Sequence, residues 1–388
     1  MSQSQPTRKT LLVRSEAEAG NQSSGAFSFW KRPYVLGRTA LTTAWLALRT
    51  LDVPQYVNFT RHVLAYFRRP VRVDYCHTVL QVEPTLNCNM KCNFCTNQHH
   101  SAHGDLKLDD LKKILERFPY LTQLNLTGVG EPFMNPEIFP IIQHIKSKGI
   151  YLRMTTNAML LTEDVATKLI ESGLDELKVS FDAIDPLLAN VLRRGSKIDR
   201  ITKNIERLNR LKAQRKTKKP HLEINTVLSM QNVGELPKIL HVAARLKARG
   251  VYVFNILNLV DDPGADDLAV YREKNRIATA SALDEAKQLA RRLGLSLRIP
   301  ATKTTDTPCN LPWTLMIVAA NGDLYPCCIY HFRREDPQAR DEGVFGNVLA
   351  TDRDEVVNSP TALAFRESLR SGRHTDICAR CPASRGVF

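Results

Sequence analysis

The chain has 388 residues, 43% of them hydrophobic, enough to bury a large core and to suggest two domains or one barrel with an appendage. Its formal charge of +14 raises a nucleic-acid role, but the basic residues are dispersed. The densest run, Arg207 to Lys219, has no interleaved aromatics to stack bases, so it reads as a solvated face and no nucleic acid is expected.

Residues 1–26 are rich in Ser, Gln, Glu and Gly and read as a disordered tail. Residues 27–78 read as a helical extension. Its apolar stripe of Leu41, Trp45, Leu48 and Leu51 recurs at helical steps and packs on the main body, with peripheral membrane contact by residues 33–70 as the minor alternative. The longest early apolar stretch, Ala40 to Leu48, is too short to span a bilayer, and the first residues lack a signal-peptide pattern. The expected location is cytoplasmic, where nine cysteines are better read as metal ligands than as disulfides.

From Val79 onward, short apolar strands alternate with amphipathic helices. Expected strands are Val79 to Glu83, Gln123 to Thr127, Tyr151 to Thr155, Glu176 to Phe181, Glu223 to Leu228 and Val251 to Leu257. Expected helices include Asp110 to Phe118, one opened by Asn135 and Pro136, and Thr162 to Ser172 closed by Gly173. Six such units predict a parallel sheet with right-handed crossovers, an α/β partial (β/α)6 TIM-like barrel over residues 79–300, with ligands at the carboxyl ends of the strands.

The loop after the first strand carries Cys88, Cys92 and Cys95 in a Cys-x3-Cys-x2-Cys run. Three ligands leave a coordination position open, as sites that perform chemistry do. From spacing alone, half a zinc site, a ferredoxin fragment and a radical-generating centre all remain open. The sequence downstream separates them, because Gly128-Val129-Gly130-Glu131-Pro132 follows the second strand, Thr156-Asn157 the third, and Ser180 and Asp182 bracket the end of the fourth.

This order of elements resembles the radical S-adenosylmethionine (SAM) enzymes. The resemblance implies a [4Fe-4S] cluster on Cys88, Cys92 and Cys95, with SAM chelating the fourth iron and cleaved reductively to a 5'-deoxyadenosyl radical. It further implies that Gly128, Gly130 and Glu131 bind the SAM amino group, and that Ser180, beside Asp182, contacts its carboxylate together with Arg193 or Arg194. Asn157 would lie near the ribose and Phe94 near the adenine.

After Pro300 the pattern changes. Cys309, Cys327-Cys328 and Cys378-Ala379-Arg380-Cys381 surround two strand-like runs, Trp313 to Val318 and Leu324 to Tyr325, joined by Asn321-Gly322. A helix from Pro360 to Leu369, ending near Gly372, leads back to the last two cysteines. Residues 301–388 resemble the auxiliary-cluster domain called SPASM or, in its smaller form, twitch. Five cysteines suit one auxiliary [4Fe-4S] cluster, on Cys309, Cys327, Cys378 and Cys381, with Cys328 able to replace Cys327. A structural zinc is the alternative.

The resemblance implies hydrogen-atom abstraction followed by oxidation or epimerisation. The single-cluster tail resembles that of twitch enzymes, which oxidise a sugar or aminocyclitol alcohol, and residues 27–78 are too short and too helical to be an evident peptide-recognition domain; together these tilt the expected substrate toward a small sugar or aminocyclitol. A peptide-modifying enzyme of the SPASM type is the alternative, and a non-catalytic zinc or iron-sulfur scaffold or electron carrier is the alternative of another class. A reductant such as flavodoxin or ferredoxin is an expected partner. Cys76 has no evident partner; it reads as a buried spectator, with a hydrogen-donor role as the lesser reading.

Overall fold

The computed structural model describes residues 53–99, 104–256, 267–303 and 309–381. The tail of residues 1–26 and the stripe from Leu41 to Leu51 lie outside them. Twelve strands are present among the described residues: β1 Val79–Val82, β2 Lys91–Cys92, β3 Gln123–Leu126, β4 Tyr151–Thr156, β5 Glu176–Ser180, β6 Arg193–Arg194, β7 His221–Leu228, β8 Gly250–Asn255, β9 Ser296–Arg298, β10 Met316–Val318, β11 Asp323–Tyr325 and β12 Gly346–Asn347. The main helices are α1 Val53–Arg68, α2 Leu108–Arg117, α3 Ile138–Ser147, α4 Glu163–Glu171, α5 Pro186–Leu192, α6 Ile198–Gln214, α7 Leu236–Arg245 and α8 Glu273–Arg292.

All six expected strands form, as β1, β3, β4, β5, β7 and β8, and they pair in parallel in that order. Alternation explains why one face is covered by helices. Along β4, Leu152, Met154 and Thr156 are buried while Tyr151, Arg153 and Thr155 are half-buried. Leu152 and Met154 join Leu124, Leu126, Leu177 and Val179 in a core completed by Ile114, Ile141 and Ile142 of the helices. The opposite face is polar, with Arg153 pairing to Glu176 at 3.2 Å and Lys178 between Glu176 and Glu223 at 3.7 and 3.9 Å.

Two further strands lengthen the parallel sheet beyond the six. β9 pairs with β8, and β10 pairs with β1 in parallel, Leu80 opposite Met316. β11 and β12 then continue the sheet antiparallel, so the C-terminal hairpin is an extension of the same open sheet. Asn321-Gly322 makes the turn, with Gly322 at φ 91°, a conformation that suits glycine.

Some boundaries differ from the sequence reading. Trp313 is not in a strand but in the short helix Leu311–Thr314, fully buried, with its indole N–H donating to the Pro70 carbonyl at 2.8 Å. Pro312 in the first turn favours helix there, and β10 starts only at Met316. The helix after β3 opens at Ile138 rather than at Asn135, whose amide side chain instead donates to the Pro84 and Leu106 carbonyls at 2.7 and 2.9 Å. Thr162 and Gly173 flank α4 as expected, and the helix over Pro360–Arg370 is followed by Gly372 at φ 73°. Within the extension, only α1 is helical among the described residues, and residues 69–78 form bends and irregular chain. α1 is tied down by Asn58, which brackets the Cys76 backbone with bonds of 2.9 and 2.6 Å.

Candidate functional site

The cysteine loop is shaped by its own polar residues. The Thr85 hydroxyl accepts from the Asn87 N–H at 2.9 Å, and Asn87 donates to Asp105 at 3.1 Å, turning the chain away from β1. β2 then pairs antiparallel with β6, setting Cys92 opposite Arg193 and Lys91 opposite Arg194. Burial, and then the neighbouring acid and thiols, lifts Cys88 up to about 12; burial lifts Cys95 to about 11, with Cys92 adding to it. Three thiols gathered this way resist ionising alone, and a cationic centre that holds them as thiolates resolves the conflict. The donor set therefore fits an iron-sulfur cluster with three protein thiolates. Among the described residues, no three Cys, His, Asp or Glu side chains converge closely enough to hold a single metal ion.

The glycine segment after β3 packs directly on this loop. A Cβ on Gly130 would lie 2.2 Å from the Thr85 carbonyl oxygen, and one on Gly128 2.4 Å from the Glu83 side chain. The immediate steric demand for both glycines is thus the approach of one loop to another. Glu131 is 2% exposed and already engaged: it accepts from the Thr156 hydroxyl at 2.6 Å, the Asn157 N–H at 2.7 Å and the Phe133 N–H at 3.3 Å. Burial nevertheless raises its carboxyl to about 7. Asn157 donates from its amide to Asn89 at 2.8 Å and accepts from the Met159 N–H at 2.9 Å, so it stitches the β4 loop to the cysteine loop. Three loops at the carboxyl ends of β1, β3 and β4 are fastened together.

The fourth loop completes the group. Asp182 is buried, accepts from the Val227 N–H at 2.8 Å, and pairs with Arg193 Nε at 2.5 Å. Arg193 Nη1 approaches the Cys92 sulfur at 3.9 Å, and its guanidinium lies 5.4 Å from the Phe94 ring centroid. Burial works against the cation, but Asp182 and Cys92 outweigh it and hold Arg193 firmly protonated. Arg194, by contrast, is exposed. The structure brings Arg193 into the site and leaves Arg194 outside it. Ser180 is half-buried at the end of β5, in register with Asn225.

The C-terminal cysteines form a second centre. Cys309, Cys327, Cys328, Cys378 and Cys381 all line one cavity, walled by Leu311, Tyr330 and Phe365. Burial raises Cys309 and Cys328 to about 12 and lifts Cys327 well above the ordinary thiol value, with neighbouring thiols adding to each. This donor set likewise fits an iron-sulfur cluster, with one thiol to spare. Cys328 opens the helix Cys328–Phe332, with Cys327 immediately before it, so both sulfurs reach the cavity. Cys76 lies before β1, at the opposite end of that strand from the cysteine loop, and contacts the His77 carbonyl.

One residue escaped the sequence reading. Glu83, fully buried at the end of β1, receives the Val129 N–H at 3.1 Å, Arg334 Nη1 at 2.7 Å and His331 Nε2 at 3.3 Å. Burial alone would raise its carboxyl, yet His331 and Arg334 hold it below the ordinary range. It links the glycine segment to the helix that follows Cys327. An acid directly after the buried strand Val79-Leu80-Gln81-Val82 was the available signal.

Comparison with known proteins agrees with this geometry. The radical SAM superfamily matches residues 82–219, and an iron-sulfur cluster-binding domain of the SPASM type matches residues 309–382. The chain is 28% identical to the tungsten-containing aldehyde ferredoxin oxidoreductase cofactor-modifying protein of Pyrococcus furiosus, over 74% of this chain and 82% of that protein. It is 27% identical to the PqqA peptide cyclase of Bradyrhizobium diazoefficiens over 45% of each chain, so it spans less than half of that relative. Among solved structures, Streptococcus suis SuiB bound to precursor peptide SuiA is similar in fold, with TM-score 0.61, 18% identity and coverage of 92% of this chain and 83% of that one. The two domains imply a [4Fe-4S] cluster, SAM and an auxiliary iron-sulfur cluster. The chain therefore carries a radical SAM domain over residues 82–219, which holds the cysteine loop, and a C-terminal SPASM iron-sulfur domain over residues 309–382, which holds the second set of cysteines.

Proposed function

We propose that this enzyme abstracts a hydrogen atom from a peptide substrate and that its auxiliary centre takes up or returns an electron, giving a crosslinked, dehydrogenated or epimerised residue. The observation that carries the reading is the presence of two cysteine centres on one continuous sheet. One lies at the carboxyl end of β1 beside Arg193 and Asp182, the other around the cavity lined by Cys309, Cys327, Cys328, Cys378 and Cys381. Reductive cleavage of SAM is the chemistry the first centre supplies when loaded. Within that site we assign Arg193 and Ser180 to the SAM carboxylate, the Gly128 to Glu131 segment to its amino group, and Phe94 to the adenine. The auxiliary cluster rests on Cys309, Cys327, Cys378 and Cys381.

The peptide assignment is supported by the likeness to a PqqA peptide cyclase and to SuiB with its precursor peptide. The sequence-based tilt toward a sugar or aminocyclitol rested on the cysteine count of the tail and on the absence of an evident peptide-recognition segment, and these relatives favour the alternative. A second reading, modification of a cofactor, is favoured by the breadth of the match to the cofactor-modifying protein of Pyrococcus furiosus.

The test is anaerobic reconstitution, iron counting, and assay of 5'-deoxyadenosine under reductant, followed by mass spectrometry of short peptides encoded beside this gene. Loss of hydrogens, or deuterium uptake from solvent, is the expected result. SAM cleavage with every such peptide unchanged would overturn the peptide assignment. Zinc at both centres without SAM cleavage would overturn the enzyme reading.

A further inference from the structure

We infer that the face formed by α5 and the start of α6 is the docking surface for an acidic one-electron carrier protein that reduces the cluster on Cys88, Cys92 and Cys95. The inference rests on the proposed reductive chemistry, and its test is arranged so that the two fail differently.

α5 is a single layer between solvent and the cysteine loop. Its inner face packs Ala189 and Leu192 against Phe94, and the carbonyls of Val191 and Leu192 accept from Asn93, at 2.6 Å from its side chain and 3.1 Å from its backbone. Its outer face is bare: Leu187 is 80% and Val191 51% exposed, one helical turn apart on the same side. Next to Leu187, Pro186 shares a cleft of about 710 Å³ with Lys197, Arg200, Lys203 and Arg207, four cations that outnumber the two acids lining it, Glu163 and Asp199; the side chains of Lys197, Arg200 and Lys203 have no ion-pair or hydrogen-bond partner among the described residues. Lys91 and Arg194, paired across β2 and β6, extend the positive rim to the edge of the cysteine loop.

An apolar centre with a charged rim is the anatomy of a protein interface, and exposed aliphatic side chains at such a place call for a partner. The positive rim selects a negative partner and speeds its encounter at low salt. The location selects an electron carrier, since one helix, about 10–12 Å across, is all that separates the docked surface from Phe94 and Cys92. The step balances simply. The carrier loses one electron and the cluster gains it; that electron then enters the sulfonium of SAM, whose S–C5' bond breaks to methionine and the 5'-deoxyadenosyl radical.

The test compares the holoenzyme with the triple variant Lys197→Glu, Arg200→Glu, Lys203→Glu and with Leu187→Ser. Formation of 5'-deoxyadenosine is driven either by photoreduced acidic flavodoxin or by dithionite, and flavodoxin affinity is measured separately by calorimetric titration at low and high salt. The triple variant is expected to lose at least about tenfold in flavodoxin-driven rate and in affinity, while the dithionite-driven rate stays within about twofold. Leu187→Ser should weaken binding about equally at both salt concentrations. Unchanged affinity and unchanged flavodoxin-driven rate would overturn the docking site. Failure of the unaltered enzyme with both reductants would indict the radical chemistry instead, and the titration then decides the docking alone. Weakened peptide turnover with both reductants and intact flavodoxin affinity would reassign the face to substrate and overturn the inference.

Discussion

Glu83 and Arg334 are 251 residues apart in the chain, yet the Arg334 guanidinium donates to the Glu83 carboxylate at 2.7 Å, with Glu83 fully buried. Because the same carboxylate receives the Val129 N–H, this pair fixes the glycine segment against the region of the auxiliary cysteines. Removing one partner of a buried pair leaves the other charge uncompensated, which typically costs about 3–5 kcal/mol. Arg334→Ala is therefore expected to lower unfolding stability by roughly that amount. SAM affinity should fall with it, and Arg334→Lys should restore part of both. Denaturant unfolding and calorimetric SAM titration check this.

Glu131 gives a pH signature. Its folded carboxyl sits at about 7 against an ordinary 4.5, so the folded chain holds this proton more tightly than the unfolded one. Stability from this group is then lost as pH rises through that window. The loss is on the order of 3 kcal/mol, since each tenfold change in proton affinity is worth about 1.4 kcal/mol. Glu131→Gln should flatten the dependence of melting temperature on pH between 5 and 7 relative to the unaltered protein, while weakening SAM binding. An unchanged slope would remove Glu131 as its source.

Gly130→Ala should be severe, because the new methyl meets the Thr85 carbonyl, a backbone atom that cannot swing aside. A cost of about 1–3 kcal/mol in stability is expected, with loss of SAM binding. Gly149→Ala, where a Cβ meets nothing but φ is 74°, is the control for backbone strain without a clash.

The spare thiol can be identified by iron content. Alanine at Cys309, Cys327, Cys378 or Cys381 should reduce the reconstituted protein from about eight irons to about four, and alanine at Cys328 should leave it near eight. The opposite result at Cys327 and Cys328 would exchange their roles.

The sheet was legible because each strand advertises itself by apolar runs and each helix by its caps, as Thr162 and Gly173 do for α4. The two groups of cysteines were legible from their spacing, and the elements after β3, β4 and β5 pointed to the chemistry of the first. What sequence could not reveal is direction and partnership. Arg193 and Arg194 are adjacent, and only the pairing of β2 with β6 decides which one turns toward Asp182. Asn157 and Glu131 carry the expected residue types, but their hydrogen bonds to other loops follow from how those loops meet. Glu83 was invisible as a node because its partners lie in a distant segment.

The pairing of β10 with β1 also orders events in time. Until residues 316–318 have left the ribosome, β1 is an edge strand beside the unfinished sulfur-ligand loop, and exposed edges recruit neighbouring chains. The Tyr75 hydroxyl likewise waits for the Trp313 carbonyl, 238 residues later. Expression fragments that stop before the C-terminal hairpin should aggregate rather than yield a working half.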